Sequence, residues 1–369
     1  MSQTTAPLTF EVDRRADVRP DAEREAVLAN PGFGTHFTDH MVTATWRKGE
    51  GWTEGKVTAY GPITLMPSAA VLHYAQEIFE GMKAYRHEDG SIWTFRPEAN
   101  AARMARSARR MTLPELPEED FLGSLRALLE VDHAWVPPYD GSEKSLYLRP
   151  FMYASEAFLG VRPAAEVTYS VIASPAGAYF TGGLKPIRLW LSKDVSRAGR
   201  HGTGAAKCGG NYASSLAGQL EGIEQGCDQA VFLDAETETN IEELGGMNLF
   251  FVTRDDKLVT PALTGSILEG VTRDSVLELA KDFGLTPEER AIPVAEWIDG
   301  VSSGEVREVF ACGTAAVITP VGELVWAGGS APSTAGEGGG EVTRAIRQRL
   351  LDLQYGRADD TRGWLTRLV

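Results

Sequence analysis

The chain has 369 residues, 43% of them hydrophobic and 24% charged, with a formal net charge of −15. That length and balance fit two ordinary soluble domains or one large one, and exclude a disordered or fibrous chain. No Lys/Arg cluster is long enough to suggest a nucleic-acid binder: the richest basic stretch, Arg103 to Arg110, is broken up by Ala, Met and Ser.

The first ~40 residues are polar and punctuated by Pro and Gly, as a wrapping arm is. Met41–Trp46 alternates as a strand, and Gly51–Gly55 reads as a turn. His73–Glu80 lacks breakers and stops at Gly81. Ser91–Phe95 reads as a strand, and Pro97 opens a helix whose apolar spacing runs through Ala101–Met111. A second helix is predicted over Glu118–Glu130, closed by Pro137 and Pro138, followed by strands at Ser145–Tyr153 and Val167–Ala173. The Gly-rich stretch 177–186 divides an N-terminal domain, 1–176, from a C-terminal domain, 187–369. The second half opens with a strand near Ile187–Leu191, then a Gly-rich segment, SRAGRHGTGAAKCGGNY (196–212), then a helix over Ala213–Gln225. Short strands are predicted at Ala230–Asp234, Met247–Val252, Lys257–Val259 and Glu308–Ala311, and helices through Lys281 and over Val342–Leu353. The stretch 327–341 reads as a loose loop. This alternation implies an α/β or α+β pair of domains.

Several chemistries find no anchor. No apolar run approaches the ~18 residues of a membrane span. Cys208, Cys227 and Cys312 are odd in number and widely spaced, which argues against disulfides. Reduced thiols and a cytoplasmic setting are expected instead, and the first residues, charged throughout with no apolar stretch, show no signal peptide. Lys207 lacks the following Ser/Thr of a P-loop, and it occupies the third glycine position of a dinucleotide fingerprint. His36 and His40 are four apart, but FGTHFTDH is not helix-like and no metal site is expected. There is no Gly-x-Ser-x-Gly elbow.

A lysine among glycines is unusual. Small neighbours let the backbone approach a bulky ligand and clear space around the amine. Partial burial favours the neutral amine, the nucleophile that Schiff-base chemistry requires.

GTGAAKCGGNY, EELGGMNLFFVT (242–253), LEGVTRDSVLELA (268–280) and EVFACGTAAVITPV (308–321) together closely resemble the branched-chain aminotransferases, class IV (fold type IV) pyridoxal-phosphate enzymes. FGTHFTDHM (33–41), LHYAQEIFEGMKAYR (72–86), FRPEANAARMARSARRM (95–111), SLYLRPF (145–151) and GAYFTGG (177–183) extend the resemblance over nearly the whole chain, and the wording looks bacterial. The resemblance implies a small N-terminal α/β domain, a larger C-terminal domain with a pseudo-barrel of short strands, pyridoxal 5′-phosphate as cofactor, and a homodimer. It implies amino-group exchange between L-leucine, L-isoleucine or L-valine and 2-oxoglutarate.

Residue by residue, it makes Lys207 the Schiff-base lysine, Arg103 the phosphate-binding arginine, Tyr212 the partner of the cofactor's phenolic oxygen, and Glu243 the carboxylate at the pyridine nitrogen, with Glu242 as the alternative. Gly270, Val271 and Thr272 become the phosphate turn at a helix start, joined by Gly313 and Thr314. Phe33, Tyr74, Phe79, Tyr147 and Tyr179 match pocket aromatics, and Arg149, two residues beyond Tyr147 on a strand, is placed to meet glutamate's distal carboxylate. Thr314 and Ala315 are expected to receive the substrate α-carboxylate. Some mammalian members carry a Cys-x-x-Cys pair where this chain has Ala316 and Thr319, so that redox switch is not expected.

Overall fold

The structure, a computed structural model, describes residues 7–177, 184–333 and 338–369. The chain forms two units: Met1–Tyr179 with Ala206–Gly209 and Leu353–Val369, and Phe180–Ala205 with Gly210–Asp352. The tetrapeptide around Lys207 and the end of the chain therefore belong with the first unit, whereas a single division at 177–186 leaves both in the second half.

The first unit is built on strands β1 (Glu11–Val12), β2 (His40–Arg47), β3 (Gly51–Ala59), β4 (Glu77–Phe79), β5 (Met82–Arg86), β6 (Ile92–Phe95), β7 (Ser145–Ala154) and β8 (Glu166–Ala176). They follow the order β1-β3-β2-β8-β7-β5-β6, with β4 paired to β7. Apart from the parallel β1–β3 contact the pairing is antiparallel. The turn expected at Gly51–Gly55 lies earlier. Residues 48–50 make it, with Gly49 at φ +92° and Gly51 at φ +85°, and β3 starts at Gly51 itself. Glycine was the right signal, but it marks the approach to the strand.

Helices α1 (Asp21–Ala29), α2 (Ala70–Tyr74), α3 (Pro97–Arg110) and α4 (Glu118–Asp132) complete this part. The breaker-free run His73–Glu80 is split: α2 ends at Ala75, which turns left-handed at φ +48°, and β4 follows. In α3, Pro97 sits in the first turn with Glu98, and Arg109 and Arg110 end the helix, an arrangement that suits the helix dipole. Its buried face carries Asn100, Ala101, Arg103, Met104, Ser107 and Ala108, the i, i+3, i+4 stripe of an amphipathic helix. Three of those six are hydrogen-bonding or charged, so this helix face is more than core packing. Leu125, Leu128 and Leu129 of α4 join Val42, Leu146, Leu148 and Val171 in one apolar core, and Ala206 and Cys208 lie in that same core.

The second unit contains β9 (Ile187–Ser192), α5 (Gly209–Glu224), β10 (Gln229–Leu233), β11 (Ile241–Leu244), β12 (Asn248–Thr253), β13 (Lys257–Pro261), α6 (Val271–Ala280), β14 (Thr286–Arg290), α7 (Val294–Ser303), β15 (Val306–Gly313), β16 (Val317–Trp326), β17 (Gly329–Pro332) and α8 (Glu341–Gln354), the first residue of α5 and the last two of α8 grouping with the first unit. Strand order is β11-β10-β9-β16-β15-β12, and a further β11–β12 pairing closes these six into a barrel. Leu189, Val231, Leu249, Val309, Val321 and Leu324 fill it. Part of the expected loop 327–341 is strand: β17 pairs with β16, because Gly329 to Pro332 lie against Trp326 to Glu323. The helix expected from Ala213 begins already at Gly209, which puts Tyr212 in its first turn. The chain then ends in β18 (Leu365–Arg367) beside β6 of the first unit. No helix among the described residues is long and apolar enough to cross a membrane.

Candidate active site

In the first unit, Lys207 is seated by its own backbone. Its N–H donates to Ser107 Oγ at 3.0 Å, and its carbonyl accepts from Phe79 N–H at 2.9 Å. Ala206 and Cys208 on either side are buried, while Lys207 is half-buried. The amine lies 4.7 Å from the centroid of the Phe79 ring, a cation–π distance. Gly209 N–H donates to Glu77 Oε1, and burial raises the Glu77 carboxyl against the opposing pull of that N–H and of Arg149.

Arg103 reaches Glu80, the residue after Phe79. Its Nε donates to Oε1 at 2.8 Å and Nη2 to Oε2 at 2.7 Å, a two-pronged pair, and Asn100 Nδ2 adds a third bond at 2.8 Å. Glu80 is 0% exposed. Burial alone would push its carboxyl up; Arg103, with Lys207 and Asn100, outweighs burial and holds it below the ordinary range. Nothing in the run IFEGMK marked Glu80, because its partners stand 20 and 23 positions later on α3.

Tyr147 and Arg149 do share a face of β7, as their spacing predicted. Arg149 Nη2 donates to the Tyr147 hydroxyl at 3.2 Å, and the guanidinium lies 4.8 Å from the Phe79 ring centroid. Arg149 Nε is buried without a hydrogen-bond partner. Phe33 meets Tyr147 edge-on at 5.2 Å. Gly81 is required here, since a Cβ would collide with the Tyr147 hydroxyl. Tyr74 lies apart from these contacts on an exposed patch, its hydroxyl donating to Leu159 O at 2.5 Å. Tyr179 lies outside the described residues. His40 is committed elsewhere: Nδ1–H donates to Asp132 at 2.7 Å and Nε2 accepts from Arg15 N–H at 3.0 Å.

In the second unit the expected residues gather at the barrel's seam. Glu243 pairs in register with Asn248, and Asn248 with Cys312. Gly270, which precedes α6, stands so close to Asn248 that a Cβ would collide with its Oδ1. Gly313 at the end of β15 lies against Gly246 and Met247, with Thr314 and Ala315 in the turn that follows. Helix α6 begins with Val271 and a buried Thr272 and has no side-chain cap, so its leading N–H groups are available to an anion.

Glu243 is 2% exposed. Its Oε1 accepts from Leu268 N–H at 2.8 Å and forms an ion pair with Arg197 Nη1 at 2.7 Å. Arg197 is the residue that sequence reasoning missed: SRAGR reads as a loop arginine, and only the fold brings it to Glu243. Glu242, next in the strand, points the other way. It accepts from Ser266 Oγ and lines a separate cavity of about 400 Å³ with Asp234, Glu236 and Arg200. Burial raises its carboxyl. The two neighbouring acids thus stand in different surroundings.

These groups fit pyridoxal phosphate. A buried carboxylate suits a protonated ring nitrogen, an uncapped helix start bordered by glycines suits a phosphate dianion, and a seated lysine suits an aldehyde. The buried, unpartnered Nε of Arg149 suits a substrate carboxylate.

Residues 77–324 match the family model described as amino-transferase class IV. The chain belongs to the class IV aminotransferases. It is 56% identical to the branched-chain-amino-acid aminotransferase of Mycolicibacterium smegmatis, over 99% of both chains. It is 42% identical to branched-chain-amino-acid transaminase 1 of Bacillus subtilis, over 90% of this chain and 93% of that one. The solved branched-chain amino acid aminotransferase of Escherichia coli superposes with a TM-score of 0.73 at 29% identity, covering 88% of this chain and 99% of that chain. The T.th. branched-chain amino acid aminotransferase, solved with pyridoxamine 5′-phosphate, gives 0.70 at 30% identity, covering 88% and 98%. Within its class the chain falls among the branched-chain-amino-acid aminotransferases.

Proposed function

We propose that this transaminase moves the amino group of L-leucine, L-isoleucine or L-valine to 2-oxoglutarate, giving the branched 2-oxo acid and L-glutamate. Bound pyridoxal phosphate supplies an electron-withdrawing ring that stabilises charge developing at the substrate α-carbon. Lys207 Nζ would take the proton from the substrate α-carbon and deliver it to the cofactor's aldehyde carbon, and would carry a proton the opposite way in the second half of the cycle. Glu243 holds the proton at the ring nitrogen, and Tyr212 steadies the phenolic oxygen. Arg103, Thr272, Thr314 and the leading amides of α6, with Gly270, Val271 and Gly313 close by, hold the phosphate. Phe33, Phe79 and Tyr147, with Tyr179, offer aliphatic side chains an apolar wall. Arg149 Nε, buried without a partner, takes glutamate's distal carboxylate. The α-carboxylate falls to Thr314 and Ala315.

The seating of Lys207 supports this most. Two backbone hydrogen bonds fix the residue while its amine extends over Phe79. The T.th. relative has been solved with N-(5′-phosphopyridoxyl)-L-glutamate, and glutamate is the amino acid expected from 2-oxoglutarate. A cytoplasmic homodimer fits as well: Leu72, Tyr74, Leu159 and Val161 leave apolar surface exposed, with Val161 88% accessible, and a second copy would cover it. Sedimentation of the holoenzyme reads that mass directly.

The test is an absorbance spectrum of purified enzyme. L-leucine should convert the bound chromophore to its amine form, and 2-oxoglutarate should restore it. A response to D-alanine in place of L-leucine would overturn the substrate assignment. Lys207→Ala should abolish turnover while the protein still binds the cofactor noncovalently; retained turnover would overturn the role of Lys207.

A further inference from the structure

We propose that Arg197 is a positioning residue that keeps the Glu243 carboxylate ionised, and through it sets the protonation of the cofactor's ring nitrogen; this rests on the function just given. Arg197 is 2% exposed and ends in three places at once. Nη1 forms an ion pair with Glu243 Oε1 at 2.7 Å and donates to Ser266 O at 3.2 Å, and the guanidinium carbon lies 5.8 Å from the Tyr212 ring centroid. Glu243 and Tyr212 are the residues assigned to the ring nitrogen and the phenolic oxygen. One arginine therefore backs both of the groups that would grip the ring.

The arrangement is costly as pure scaffolding. Arg197 Nε and Nη2 are buried with no hydrogen-bond partner. Unsatisfied buried donors are unfavourable, and an apolar side chain of similar length would fill the space without them. The charge itself is what an apolar side chain cannot supply. A carboxyl buried as deeply as Glu243 drifts toward its neutral form, and an adjacent guanidinium reverses that drift. With the ring bound, a single proton has two homes: Glu243 Oε, leaving both groups neutral, or the ring nitrogen, leaving a carboxylate facing a pyridinium. Arg197 attracts only the carboxylate, so it favours the second state. Leu268 N–H, donating to the same oxygen at 2.8 Å, holds the carboxylate's orientation.

The experiment is the 15N resonance of the ring nitrogen in enzyme reconstituted with 15N-labelled pyridoxal phosphate, followed from pH ~6 to ~9 without substrate. The wild type should stay protonated throughout. Arg197→Gln should titrate, its ring-nitrogen pKa lowered by about one unit or more, with kcat falling at little changed KM for L-leucine. Arg197→Lys keeps the charge but not the fork, and should lie between the two. Should Arg197→Gln fail to fold, a downward shift in Arg197→Lys carries the test. A ring nitrogen protonated alike in wild type and in the folded variants would overturn the proposal while leaving the aminotransferase assignment standing. A wild type that takes up no pyridoxal phosphate would overturn the functional reading, and this proposal with it.

Discussion

The two units solve the problem of holding charge by different means. The first is an open, mainly antiparallel sheet in which a helix face meets a buried carboxylate: the Arg103 guanidinium and the Asn100 amide of α3 converge on Glu80. The second is a closed barrel whose buried charge sits where the barrel seals, at Glu243 beside Asn248. On the open sheet a two-pronged ion pair satisfies both carboxylate oxygens. At the seam Leu268 N–H donates to one oxygen of Glu243, Arg197 forms an ion pair with that same oxygen, and two Arg197 nitrogens have no hydrogen-bond partner. The first arrangement matches its buried charges to hydrogen-bond partners, and the second leaves two buried donors unmatched.

That contrast breaks most sharply at Glu80. Glu80→Gln leaves Arg103 as a buried, half-matched charge, so about 3–5 kcal/mol should be lost, read as a large fall in the calorimetric melting temperature of the apoenzyme. The pH dependence has a definite sign. The Glu80 carboxyl is lower in the folded protein than in the unfolded chain, so its contribution is complete above the ordinary carboxyl range and disappears as pH falls through the folded value. Wild type and variant should converge in acid; a gap that persists below that range would show that lost packing, not the pair, is responsible.

At the seam, Gly270→Ala pushes a methyl group into Asn248 Oδ1. A loss of roughly 1–3 kcal/mol should accompany weaker retention of pyridoxal phosphate on dialysis, whereas a stability loss with unchanged retention would detach this glycine from the cofactor. A smaller effect is expected at Glu242, whose carboxyl is raised by burial. A raised carboxyl costs stability as pH climbs from its unfolded toward its folded value. Glu242→Gln should therefore raise the melting temperature at neutral pH by about 1–2 °C and change nothing in acid. The smallest change concerns Cys312, whose thiol burial pushes up to about 12: the native enzyme should resist alkylation there at mildly alkaline pH, and rapid labelling would reveal an opening of the seam.

Much of this was legible in the residue order. Strands β7 and β8 and helices α3, α4 and α6 announce themselves by period, and the lysine among glycines stands out as an anomaly. Strand β11 does not, because its four residues, IEEL, put two acids side by side and hide a wholly buried strand. Those acids meet partners that lie far away in sequence: Arg197 and Leu268 for Glu243, Ser266 for Glu242. Arg197 and Glu80 stayed invisible for the same reason: their roles are pairings, and a pairing between distant positions has no local signature. Arg103 was singled out by its motif, yet the motif says nothing of Glu80, its two-pronged partner.

The short excursion at Ala206–Gly209 has a consequence for how this polypeptide can be divided. Its flanks fold with the barrel, while Ala206 and Cys208 are interior residues of the other unit. A shortened gene covering only 187–369 would encode Lys207 but neither Ser107 nor Phe79, the two residues that hydrogen-bond its backbone. Neither half is an exchangeable module, and recombination between relatives should succeed only where both halves are inherited together.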